Sequence, residues 1–190
     1  MEVAPTSIPG VVVVSPARLS DARGWFSRTF DAGLFGELGF VGPIVQENQS
    51  RSARGVLRGL HVRTDLAESK TVRVLSGALH DVVVDLRPWS STFLKHVALD
   101  LSAEESAVLV VPPGCAHGFV ALRDDTQVLY QVTAHFEPEL DKTIAWNDPQ
   151  LAITWPIASP TLSDRDRRAP RIADVASRLP VWFGATAPPM

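Results

Sequence analysis

The chain has 190 residues, 45% of them hydrophobic and 21% charged, with a formal net charge of -3. That is enough for one domain with its own core, and too little positive charge to draw in nucleic acid or an anionic membrane in bulk. A single cysteine, Cys115, excludes an internal disulfide and a cysteine-rich metal site. No apolar run approaches the roughly 20 residues of a membrane helix, and no basic region precedes Val11–Val14 as in a signal peptide. The expectation is a cytoplasmic protein, with neither nucleic acid nor membrane among its partners.

The elements follow in chain order. Gly10 to Pro16 reads as a short strand, because valines favour the pleat and Pro16 ends it. Val11–Val14 is poorly balanced for an exposed edge, which predicts a second copy beside it. A turn at Asp21–Gly24 leads into a strand through Phe30. Asp31 to Leu38 is a helix, capped by Asp31 and stopped by Gly39. The stretch Gln46 to His61 opens with polar groups within reach of a ligand: Gln46, Asn48 and Ser50. It closes in alternation, which puts Val56, Arg58 and Leu60 on one face and Leu57, Gly59 and His61 on the other. Strands are then expected at Ser69–Leu75, Ala78–Leu86, Phe93–Leu99, Ala107–Val111, Gly118–Leu122 and Thr126–Thr133. Short strands at spacings of roughly 8–12 residues indicate an all-β sandwich or barrel. Ile144 to Pro156 is loop-like, with tryptophan anchors. Thr161 to Arg168 is a short solvated helix capped by Ser163, or a segment brought back over the barrel mouth. Ile172 to Leu179 is a short C-terminal helix. One domain is expected over 1–190: a jelly roll over about 10–160, then a tail over about 161–190.

Several chemistries lack their residues. A metal-binding cupin needs a His-x-His pair, but His61 is followed by Val62 and Arg63. Pro112-x-Gly114-x-x-His117 matches the second cupin motif. That leaves His61, His117 and Glu68 as ligands, with the Arg63 cation set against a metal. No nucleophile elbow, P-loop or Rossmann glycine motif is present. Cys115 reads as a small buried residue. What remains is acid–base chemistry by His61, Lys70, Tyr130 (the one tyrosine) and the aspartates of the tail.

Asp21-x-Arg23-Gly24, Gln46-x-Asn48-x-Ser50, Gly55-Val56-Leu57-Arg58-Gly59-Leu60-His61, Lys70-x-Val72-Arg73, Asp81 to Arg87, Ser91-Thr92-Phe93, Pro113-Gly114-x-Ala116-His117-Gly118-Phe119, Trp146-Asn147-Asp148-Pro149 and Leu162-Ser163-x-x-Asp166 occur in this order. Together, over about residues 10–175, they resemble dTDP-4-dehydrorhamnose 3,5-epimerase and its sugar-nucleotide epimerase relatives. The resemblance implies a cupin-like jelly-roll barrel with a few short peripheral helices, a homodimer, a sugar-nucleotide substrate, and neither metal nor organic cofactor. It implies His61 as base, Asp166 as the carboxylate orienting it, Tyr130 as acid and Lys70 as the cation at the enolate oxygen. Arg58 and His117 fall near the keto oxygen and the phosphates. Arg23, Gln46 and Asn48 fall at nucleotide-binding positions, and Phe26 at a packing position beside the base. The implied reaction inverts C3 and C5 of a dTDP-4-keto-6-deoxyhexose through an enolate. A C3-only or C5-only epimerase and a non-catalytic sugar-nucleotide-binding cupin are the alternatives. Arg28 and Phe136 depart from the glutamate and the stacking tyrosine common in the family.

Overall fold

In the computed structural model, which describes residues 1–184 and Thr186, two antiparallel sheets share one core. The first runs in the order β1 (Glu2–Pro5), β2 (Val12–Ser15), β10 (Val108–Val111), β7 (Lys70–Ser76), β12 (Thr126–Val132) and β5 (Gln46–Ser52). The second runs β13 (Asp141–Thr143), β6 (Leu57–Arg63), β11 (Cys115–Ala121), β8 (Ala78–Asp85) and β9 (His96–Ser102). β3 (Leu19–Asp21) and β4 (Gly24–Phe26) form a separate hairpin. This is the cupin-like jelly roll expected from the sequence.

The side-chain period of two explains the layers. Val72, Val74 and Val128 of the first sheet meet Leu79, Val83 and Phe119 of the second in the shared core. The alternate residues Val82 and Val84 point outward, where α3 (Ile172–Val175) and α4 (Leu179–Phe183) cover them with Ile172, Val175, Leu179 and Phe183. β8 is therefore apolar on both faces, as its near-continuous valine run implies. On the first sheet, Val12, Val14, Val108 and Val110 point outward beneath Phe35 and Phe40. Phe35 belongs to α1 (Ala32–Glu37), which Asp31 caps by accepting from the Leu34 N–H.

The structure corrects four local expectations. The Val11–Val14 strand is not an edge: β1 pairs with one side of β2 and β10 with the other. The strand expected through Phe30 ends at Phe26. β9 begins at His96 rather than Phe93, because Ser90 and Thr92 turn inward to donate to the buried Asp85 carboxylate at 2.6 Å each. The expected C-terminal helix breaks into α3, a 3-10 turn over Ala176–Arg178, and α4. Residues 185 and 187–190 of the expected tail lie outside the described residues.

The correction that matters for chemistry lies in β6. Its pairing with β11 matches His61 to His117 and Arg58 to Phe119, three residues against two. The extra residue is a bulge at Gly59–Leu60, which re-aims everything beyond it. Arg58 and His61, expected on opposite faces, therefore line the same cavity. Gly59 permits this. It sits at φ +130°, and a Cβ there would lie 2.5 Å from the Cα of Gly118. Gly59→Ala is expected to cost about 1–3 kcal/mol from the backbone conformation, with the clash added. Urea unfolding measures it; an unchanged midpoint would contradict this account of the bulge.

Candidate active site

Between the sheets opens a cavity of about 400 Å³. The first sheet supplies Gln46, Asn48 and Ser50 from β5, Lys70 from β7, and Tyr130 and Val132 from β12. Their even numbers follow from the strand period: these are the inward-facing positions. The second sheet supplies Arg58 and His61 from β6 and His117 and Phe119 from β11. Glu68, Ala134, Phe136, Asp141 and Arg165 complete the lining.

His61 presents its imidazole from one wall. Its Nε2 lies 2.7 Å from an oxygen of Asp166. Asp166 arrives on α2 (Asp164–Arg167), a single turn capped by the Ser163 hydroxyl, which accepts from the Asp166 N–H at 3.1 Å. The charged tail is thus both of the things expected of it, a short capped helix and a segment returned to the barrel mouth. Asp166 is buried, which pushes its carboxyl up, but hydrogen bonds from His61, Ser163 and the Gly59 backbone more than offset this and hold it below the usual carboxylate range. With Nε2 engaged, Nδ1 is the nitrogen left to work on a substrate.

Tyr130 stands on the other sheet. Its hydroxyl is 3.3 Å from that of Ser50, and its ring meets those of His117 and Phe119. Burial raises the phenol well above its ordinary value, so it keeps its proton across the neutral range. A second buried pair forms the floor: His117 Nε2 lies 2.9 and 3.1 Å from the two Asp81 oxygens, with the hydrogen bond directed to Oδ2.

Lys70 enters with Nζ 3.1 Å from the Glu68 carboxylate. Arg58 is steadied by Ser52, which accepts from Nε at 3.0 Å, and by the Arg51 carbonyl at 3.3 Å. Gln46 donates to Asn48 at 3.0 Å and accepts from the Phe136 N–H at 3.2 Å. Arg165 bonds Thr143 Oγ1 at 2.7 Å and adds a third cation to Arg58 and Lys70.

Eight of the expected site residues thus converge: His61, Tyr130, Asp166, Lys70, Gln46, Asn48, Arg58 and His117. Arg23 and Phe26 do not line this cavity. They belong to the β3–β4 hairpin, where Arg23 pairs with Asp21 and Phe26 lines an apolar hollow with Leu19 and Leu34. Phe119, Asp141 and Arg165 were not foreseen. Phe119 shares strand parity with His117, a signal the sequence did carry. Asp141 sits on a three-residue strand and Arg165 on a single helical turn, too short for any pattern. Arg63 is a further correction. It lies outside the cavity lining, its charge balanced by Asp65 and Glu137, and so does not act as a cation set against a metal there. Among the described residues no group of three or more His, Cys, Asp or Glu side chains could hold a metal ion. Burial pushes the Cys115 thiol up to about 12, which leaves it an inert core residue.

No helix of the described residues is long and apolar enough to cross a membrane. Residues 5–174 match the model of the dTDP-4-dehydrorhamnose 3,5-epimerase family. A dTDP-4-dehydrorhamnose 3,5-epimerase of Pseudomonas aeruginosa is 44% identical over 170 residues, 88% of this chain and 94% of the relative. One of Neisseria gonorrhoeae is 42% identical over 167 residues, and there the match covers 87% of this chain but about half of the relative, 51%. The dTDP-6-deoxy-D-glucose-3,5-epimerase of Legionella pneumophila, solved with dTDP-4-keto-L-rhamnose, superposes with a TM-score of 0.88 at 37% identity, covering 94% of this chain and 96% of that one. ChmJ of Streptomyces bikiniensis, a 3'-monoepimerase solved with dTDP-quinovose, gives 0.86 at 32% identity over 97% of this chain and 92% of its own. Sequence and fold agree along nearly the whole length, and the chain belongs to the dTDP-4-dehydrorhamnose 3,5-epimerase family.

Proposed function

We propose that this protein inverts C3 and C5 of a dTDP-4-keto-6-deoxyhexose without a cofactor. One observation carries the proposal: a carboxylate-oriented histidine and a protonated tyrosine stand on opposite sheets of one cavity. Protons at C3 and C5 are acidic because each neighbours the C4 carbonyl. Removing one gives an enolate, and returning a proton from the other face inverts the carbon. His61 serves as the base, Asp166 stabilises the imidazolium, and Tyr130 delivers the proton from the far wall. Lys70, with Arg58 and His117 nearby, meets the charge that develops on the oxygen. Gln46, Asn48 and Phe136 receive the nucleotide. Incubation with dTDP-4-keto-6-deoxyglucose and NMR of the product tests this: inversion at both carbons is expected. Product inverted at C3 alone would favour a second reading, prompted by the structural likeness to the monoepimerase ChmJ.

The reading includes a homodimer and a single domain. The C-terminal helices bury their apolar face on the five-stranded sheet, which argues for one domain. The case for a second copy moves from the Val11–Val14 strand to the β3–β4 hairpin, where Leu19, Trp25 and Phe26 are 67%, 57% and 66% exposed. Arg23 and Phe26 do not line this chain's own cavity, and a hairpin leaning into the cavity of a second copy would bring them to a substrate there. Light scattering at micromolar concentration should give twice the 20.6 kDa chain mass; a monomer would contradict it.

A further inference from the structure

Arg63 closes β6 two residues past His61, and its side chain is only 5% exposed. Nε and Nη2 engage the two Asp65 oxygens at 2.7 and 2.8 Å, and Nη2 also reaches Glu137 at 2.8 Å. Nη1 donates to the carbonyl of His135. Only a planar fork can hold acceptors in these directions at once. One buried cation therefore fastens the chain on both sides of Phe136.

Phe136 lies between the ends of β12 and β13, outside any strand, and the residue is 58% exposed. Packing does not hold it; the backbone must. Its N–H bonds the side chain of Gln46, which bonds that of Asn48. A continuous line of polar contacts thus runs from Arg63 through residues 135–137 to the cavity wall.

We propose that Arg63 is the positioning residue for the nucleotide end of the substrate, fixing Phe136 as a platform and Gln46 and Asn48 beside it for a pyrimidine nucleoside diphosphate. The proposal rests on the nucleotide reading given above. A segment ordered before binding loses less freedom on binding, so Arg63 acts on affinity and not on proton transfer. It touches none of the groups at the sugar end.

The test measures dTDP binding by calorimetry and steady-state kinetics in the wild type, Arg63→Met, Glu137→Gln, Phe136→Ala and their combinations. In Arg63→Met, the dTDP dissociation constant and KM are expected to rise about tenfold, the cost of ordering residues 135–137 at the moment of binding, while kcat stays within about threefold. Glu137→Gln should raise both less, and folding should survive because this side chain is 57% exposed. With Phe136 already cut to alanine, the Arg63 or Glu137 change should add a smaller further loss than in the wild-type background, only the part that runs through Gln46 and Asn48, a coupling that general destabilisation would not produce. Unchanged dTDP affinity in the variants, additive losses, or a fall in kcat at constant KM overturns the proposal. Should Arg63→Met not fold, Glu137→Gln and its cycle with Phe136→Ala decide. A wild type that does not bind dTDP overturns the nucleotide reading and this proposal together; binding that the variants leave unchanged overturns this proposal alone.

Discussion

His61→Ala is expected to lose about 10²–10⁴-fold in turnover, the usual worth of a positioned general base, with KM little changed. The size follows from the surroundings of His61. Asp166 is buried, stays ionised and lies 2.7 Å from Nε2, so the imidazole is oriented and its protonated form stabilised. Among the cavity-lining residues of the same sheet, His117 is committed to Asp81, the Asp141 carboxylate accepts from the Glu137 N–H, and Arg58 cannot accept a proton. Solvent exchange at C3 and C5 should vanish together with inversion, because exchange needs the same proton removed. Asp166→Asn separates orientation from basicity: the ring stays in place without its charged partner, so binding holds and turnover slows. Stopped-flow or NMR kinetics measure both. Near-wild-type turnover in His61→Ala would remove His61 from the mechanism.

Tyr130→Phe is expected to uncouple exchange from inversion. The change removes one hydroxyl and leaves the ring between His117 and Phe119. His61 can still take a proton and return a deuteron to the same face. Deuterium should therefore enter while the carbon keeps its configuration, and inversion should fall by about 10²-fold or more for the lost general acid. Ser50 is left without its phenolic partner, a small cost in a cavity open to water. Inversion at the wild-type rate would disprove the two-faced arrangement, whatever the effect of His61→Ala.

The sequence disclosed most of the elements whose residues obey one period. β7, β8, β10 and β12 alternate or run apolar and lie within a residue or so of their expected bounds. α1 announced itself by Asp31 and Gly39. β5 was harder: its inward residues line a polar cavity and its outward ones face water, so no apolar period marks it. β1 and β13 are too short for a period at all. The family resemblance picked out the chemical groups residue by residue, but not how Arg58 and His61 come to share a face. That depends on a bulge with Gly59 set against Gly118, a contact between strands far apart in the chain. Nor did it separate Arg23 and Phe26 from the other site residues. Strand parity says which way a side chain points within its own sheet, and is silent on hairpins that stand apart from it.

The most direct test of the central claim is deuterium incorporation during turnover of dTDP-4-keto-6-deoxyglucose in deuterated water. The wild type should place deuterium at both C3 and C5, each with inverted configuration. Inversion without solvent deuterium at those carbons, or no incorporation at either, would contradict proton abstraction by His61 and return by Tyr130.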